Sequence, residues 1–169
     1  QMDSTAMADL LAEKDIRPAE DIAQDPAVDP DAPPDVQWFQ AAKVGDSWSL
    51  KQLLNERPSL LGKAARASGQ TALHHCAAAG HLTCATELID WGLTVNVRDG
   101  HESTPLHSAA SGGRLPLVVE LMRRGAEVAA QDSSGMTAAE HAEARGHTQI
   151  VEALRGGAGD LSPKGTGAQ

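Results

Sequence analysis

Aromatic side chains are scarce in this sequence. Among 169 residues there are three tryptophans, one phenylalanine and no tyrosine. A hydrophobic core must therefore be built mainly from alanine, leucine and valine. The length allows one domain, or one domain with tails.

Basic side chains are also in deficit. The chain has 14 Lys and Arg against 23 Asp and Glu, a formal charge of −9. Such a balance disfavours nucleic acid or an anionic membrane surface as the main partner, because both repel negative charge. A protein partner is compatible with it.

Cysteines and long apolar runs are equally sparse. Only Cys76 and Cys84 occur, so a disulfide framework is excluded and we expect free thiols in a reducing compartment. No run reaches the roughly 18 apolar residues of a membrane span, and the first thirty residues lack the pattern of a signal peptide. We expect a cytoplasmic protein, with the nucleus or a cytoskeletal assembly as alternatives, that is monomeric in isolation.

The two ends of the chain differ from its middle. Residues 1–35 hold ten acids and two bases, a charge of −8, and five prolines fall between Arg17 and Asp35. This composition predicts an extended acidic tail. The spacing of Met7, Leu10 and Leu11 permits a short amphipathic helix within it. Residues 157–169 are rich in glycine and predict a flexible tail.

Between the tails the sequence repeats itself. Similar four-residue segments begin at Thr71, Thr104 and Thr137, 33 residues apart, and a glycine follows each threonine nine residues later. Apolar pairs recur at nearly the same period, at 88–89, 121–122 and 153–154. Three periods in phase indicate a repeat architecture.

Each unit predicts two short helices. The threonine can cap the first helix, and Pro105 suits its first position because the missing N–H has no partner there. Gly113 can supply the left-handed turn that ends this helix. A second helix, from about Leu115 to Arg124, carries an apolar stripe at helical spacing. Since no unit can bury its apolar face alone, the units must stack.

The Thr-Pro-Leu-His segment, the alanine pair, the glycine and the 33-residue period together resemble the ankyrin repeat. The resemblance covers residues 36–156 in four units, 36–68, 69–101, 102–134 and 135–156, of which the first lacks the threonine and the histidine. It implies an all-α solenoid of helix-turn-helix units with short β-hairpin fingers. It also implies that the histidine of each Thr-x-x-His segment hydrogen-bonds backbone between repeats.

Reactive side chains are present without a matching motif. His74, His75, Cys76, His81 and Cys84 lie within eleven positions, but their spacing does not match the close pairs typical of zinc sites. No nucleophile elbow, phosphate loop or His-Glu-x-x-His motif occurs. We predict no metal, no cofactor and no enzymatic activity.

The resemblance implies a partner surface on the concave face of the solenoid and on the finger tips. The residues carried over to that surface are polar positions that a repeat scaffold does not need. They are His75, Ser108, Ser111, His141 and Arg145 on the first helices, and Arg98, Asp99, His101, Gln131 and Asp132 on the fingers.

The sequence is compatible with three functions. The first is a non-enzymatic adaptor or scaffold that binds a protein partner through the concave groove. The second is a structural subunit of a large assembly, anchored by its N-terminal tail. The third is a stoichiometric kinase inhibitor, although the inhibitors of that kind that the chain resembles shorten a helix of the second repeat and this sequence does not.

Overall fold

The computed structural model describes residue 29 and residues 31–156. Its helices are α1 Pro34–Val44, α2 Ser47–Glu56, α3 Ala72–Ala79, α4 Leu82–Asp90, α5 Pro105–Ser111, α6 Leu115–Arg123, α7 Ala138–Ala144 and α8 Thr148–Gly156, with a 3-10 turn at Pro58–Leu60. None of the helices in this part of the chain is long and apolar enough to span a membrane. The predicted helix around Met7 and the glycine-rich tail lie outside the described residues.

The helices form antiparallel pairs that stack in chain order. The odd-numbered helices form an inner row in which each packs on the next, and each also packs on its even-numbered partner in an outer row. This confirms the all-α stacked fold. Helix α1 begins two residues before the expected domain boundary, because Pro34 suits the first helical position and Asp35 is favourable in the first turn.

Small side chains allow the inner helices to lie close together. Alanines from all four inner helices are fully buried where consecutive helices meet, among them Ala41, Ala77, Ala109 and Ala142. The outer helices contribute larger residues to the same core, and Leu88 and Leu121 are 0% exposed. Trp38 occupies the slot of Leu73 and Leu106 in the first unit and is fully buried.

The fingers are tighter than the expected β-hairpins. Within the described residues no strand forms, and the pairing is limited to single bridges between Ala64 and Thr71 and between Gln131 and Thr137. The Asp99 carboxylate explains the tight loop, since its Oδ1 accepts the backbone N–H groups of His101 at 2.8 Å and Ser103 at 2.9 Å. A side chain thus closes a turn that a longer hairpin would close with ladder bonds.

Candidate partner-binding surface

Two buried histidines fix the beginnings of inner helices and join consecutive repeats. Nδ1 of His74 accepts the backbone N–H of Thr71 at 3.2 Å, and Nε2 lies 2.9 Å from the Ser103 carbonyl oxygen. His107 repeats the arrangement one unit later with Thr104 and Met136. The bridging role implied by the resemblance is therefore present at both positions.

This geometry requires a neutral imidazole. Because Nδ1 accepts a hydrogen bond from a backbone N–H, the ring proton must lie on Nε2, where it is donated to the carbonyl. Burial lowers the pKa of His74 and of His107 from the ordinary value of 6.5. In the last unit Glu140 stands in the position of the histidine. Its carboxylate accepts the Thr137 N–H at 2.6 Å, so the N-terminus of α7 is still capped.

Hydrogen bonds join each finger to the next. The Gly100 N–H donates to the Ser68 carbonyl at 2.9 Å, and the Ser133 N–H donates to the His101 carbonyl at the same distance. Arg98 adds a side-chain link, since its Nη1 donates to the Gln131 carbonyl at 3.1 Å. The finger tips therefore form one continuous ridge.

Arg98 serves the fold as well as the surface. Its guanidinium also donates to the Glu102 carbonyl at 3.2 Å and approaches the Glu127 carboxylate at 4.0 Å. His101 and Gln131 are exposed on the ridge. These two tips offer side chains to a partner without the structural role that Arg98 has.

Asp99 and Asp132 lie in the fingers but point inward. Asp99 is 8% exposed. The Asp132 carboxylate accepts the N–H groups of Ser134 and Met136, and its Oδ2 lies 2.6 Å from Nε2 of His141. The hydrogen bond from His141 is the main reason that the pKa of Asp132 is lowered. We assign both carboxylates to the loop structure and leave them out of the proposed surface.

The remaining candidate residues lie along the inner row of helices. We call this the inner face, defined by His75 and Ala78 on α3, Ser108 and Ser111 on α5, His141 and Ala144 on α7, and Arg145 at the C-cap of α7. Ala78, Ala144 and Arg145 are exposed, and the others are half-buried. Two aromatic contacts cross repeats below this face, Phe39 with His75 and His107 with His141, each with ring centroids 5.6 Å apart.

A hydrogen bond connects the inner face with the ridge of finger tips. The bond between Asp132 in the third finger and His141 on α7 connects the two. The structure thus brings His75, Ser108, Ser111, His141 and Arg145 into one row and places Arg98, His101 and Gln131 in a second row beside it.

Sequence reasoning missed a second set of contacts between repeats. His81, Arg114 and His147 each follow the glycine that ends an inner helix, and each reaches a backbone carbonyl at the end of the preceding inner helix. A Cβ on Gly45 would lie 2.5 Å from the His81 ring. The sequence does contain a pattern that indicates these contacts, because a polar residue follows each of these glycines with the same 33-residue period.

The cysteine and histidine cluster is divided among structural roles. Cys76 and Cys84 are buried free thiols, and Sγ of Cys76 donates to the Ala42 carbonyl at 3.4 Å. His74 and His81 bind the carbonyls of Ser103 and Lys43. Within the described residues no group of three or more potential ligands is arranged to hold a metal ion.

Comparison with known proteins supports the repeat assignment. The family model for ankyrin repeats (3 copies) matches residues 38–132, which is more than half of the chain. No curated protein matches the sequence. The matched residues include the capping threonines and bridging histidines of the second and third units, and the chain belongs to the ankyrin-repeat family.

Proposed function

We propose that this protein is a non-enzymatic adaptor that binds a protein partner through the inner face and the adjoining finger tips. Ankyrin repeats generally mediate protein–protein interactions. The observation that carries the proposal is the continuity of two rows of accessible residues that the core does not use. Exposed loop residues on a rigid scaffold are where binding residues concentrate.

The proposed domain comprises four repeats over residues 36–156 and acts as a monomer, without a cofactor, in the cytoplasm. The two buried free thiols support a reducing compartment. The charge of −9 argues against nucleic acid as the partner. A kinase inhibitor of the type considered above gains no support, since α3 spans eight residues and is not shortened relative to the seven-residue α5 and α7.

Site-specific photo-crosslinking tests the proposed surface. A photoreactive amino acid at Ala78 or Ala144, both exposed on the inner face, should capture the partner from an extract of the source cells. The same amino acid at Thr83 or Gln149, both exposed on outer helices, is the matched control and should capture nothing in common with it. Equal capture from both faces would contradict the proposal.

A second arm separates the adaptor from an assembly subunit held by its tail. His101→Ala combined with Gln131→Ala should leave the melting temperature nearly unchanged, because exposed side chains contribute little to folding, and should reduce capture at Ala78. Removal of residues 1–28 should leave capture intact. If removal of the tail abolishes capture while the finger variant retains it, the assembly subunit is the correct function.

A further inference from the structure

The first repeat carries apolar side chains at three slots where the last repeat carries polar ones. Val36, Val44 and Trp48 occupy the slots that hold Thr137, Arg145 and Gln149 one domain-length later. Val36 and Val44 are 42% and 39% exposed. Because a terminal repeat of a solenoid needs a polar exposed surface to stay soluble, these apolar side chains make the first repeat a candidate for coverage by another segment.

Trp48 is the most informative of these residues. It lies on the side of α2 opposite the buried Leu50, in a slot where the other outer helices carry Thr83, Pro116 and Gln149, all exposed. Among the described residues, the hydrophobic core and the side chains packed against it do not include Trp48. Its side chain is nevertheless half-buried.

The first repeat is also the basic part of an acidic chain. Residues 36–68 contain five bases and two acids, a formal charge of +3, whereas each of the other three repeats is negative. Four of the five bases, Lys43, Lys51, Arg57 and Arg66, are exposed. An acidic segment with a few apolar side chains is the complement of this surface.

Such a segment is attached directly to it. Residues 1–28 carry seven acids and two bases, a charge of −5, together with the apolar group Met7, Leu10 and Leu11. Asp29 is tied to the first repeat, since its N–H donates to the Gln40 side chain on α1 at 3.1 Å. The 18 residues between Leu10 and Asp29 can span up to about 60 Å when extended.

We propose that the N-terminal segment, residues 1–28, docks on the outer helix of the first repeat, with Leu10 and Leu11 against Trp48 and its carboxylates near the exposed bases. Attachment in one chain gives the segment an effective concentration in the millimolar range, so a small apolar contact is sufficient. The docked segment covers Trp48 on the outer row of helices and leaves the inner face free.

Fluorescence quenching of the purified full chain tests this docking. In a Trp91→Phe background, acrylamide reports on Trp48, because Trp38 is fully buried. Replacing Leu10 and Leu11 with serine should lower the docking equilibrium about tenfold or more and raise the quenching constant to that of a chain lacking residues 1–28. Ile22→Ser with Val28→Ser is the matched control and should leave quenching unchanged. Equal quenching of the leucine variant and its parent, or an equal rise in the control, would overturn the proposal.

A second measurement identifies the occupant from the opposite side. Trp48→Thr, which installs the residue of the same slot in α4, should accelerate hydrogen exchange in residues 5–16, whereas Thr83→Ser should not. Unchanged exchange in the Trp48 variant would overturn the proposal. Sedimentation velocity and acrylamide quenching over a range of protein concentrations decide whether a second copy of the chain covers Trp48. If a dimer forms and the protection of Trp48 rises with concentration, the occupant is a second copy and the proposal is wrong. Protection that does not depend on concentration supports the N-terminal segment as the occupant.

Discussion

Nε2 of His107 lies 3.1 Å from the carbonyl oxygen of Met136, across the boundary between the third and fourth repeats. Nδ1 of the same ring accepts the Thr104 N–H at 3.1 Å. One buried imidazole therefore both caps α5 and holds the next finger in place. His74 does the same with Thr71 and Ser103 one repeat earlier.

Removing this imidazole should destabilise the domain. His107→Ala leaves the Thr104 N–H and the Met136 carbonyl without their partner, and we expect a loss of about 1–3 kcal/mol in the free energy of unfolding. Chemical denaturation measures it, with Ser111→Ala on the same helix as the control that should change little. A melting temperature that falls on addition of a chelator would contradict the structural role and indicate a metal site.

The same histidines should make stability depend on pH. Their pKa is lowered in the folded protein by burial, so below the ordinary value of 6.5 the unfolded chain binds more protons than the folded one. The free energy of unfolding is then fully retained above pH 6.5 and decreases as the pH falls through the lowered pKa. Denaturation curves recorded on both sides of pH 6.5 measure this slope.

Replacement of a single histidine isolates its share of that slope. His107→Gln keeps polar atoms near both backbone groups but does not titrate, so its stability should fall less steeply below pH 6.5 than that of the parent. The Asp132 carboxylate does not interfere, because its pKa is lowered from 3.8 and its contribution is lost only in more acidic solution. An identical slope in parent and variant would show that His107 is not a source of the pH dependence.

Gly112, the C-cap of α5, is required for close packing and not for a left-handed backbone, unlike the positive-φ Gly113 beside it. Its φ is −78°, which any residue adopts, yet a Cβ there would lie 2.6 Å from the Ala78 carbonyl oxygen of the preceding repeat. Gly112→Ala should therefore push α3 and α5 apart and cost about 1–3 kcal/mol. Gly62→Ala is the matched control, since nothing lies within 4 Å of its Cβ position. Equal melting temperatures for the two variants would contradict the close approach.

The fold could be predicted because its causes are local and periodic. Thr104, Pro105 and Gly113 set helix limits by capping and backbone conformation, and the structure places α5 between them. Which finger residues are available to a partner could not be predicted in the same way. Asp99 looks like an exposed finger residue in the sequence, but its burial depends on the loop turning its carboxylate toward two N–H groups. The double role of Arg98 likewise depends on how close the next finger lies.

Coupling between the third and fourth repeats gives the last prediction. Leu121 on α6 is fully buried in the core that also contains Ile150 and Leu154 of α8, and α6 packs on α8. Leu121→Ala should cost about 2–5 kcal/mol through lost burial and the cavity left behind. Because a repeat is stabilised mainly by its neighbours, hydrogen exchange should accelerate in α7 and α8 as well as in α6, and less so in α3. Val119→Ala on the same helix, where the side chain is only half-buried, should have a small effect. Full protection of residues 138–156 in the Leu121 variant would show that the fourth repeat is stable without its neighbour.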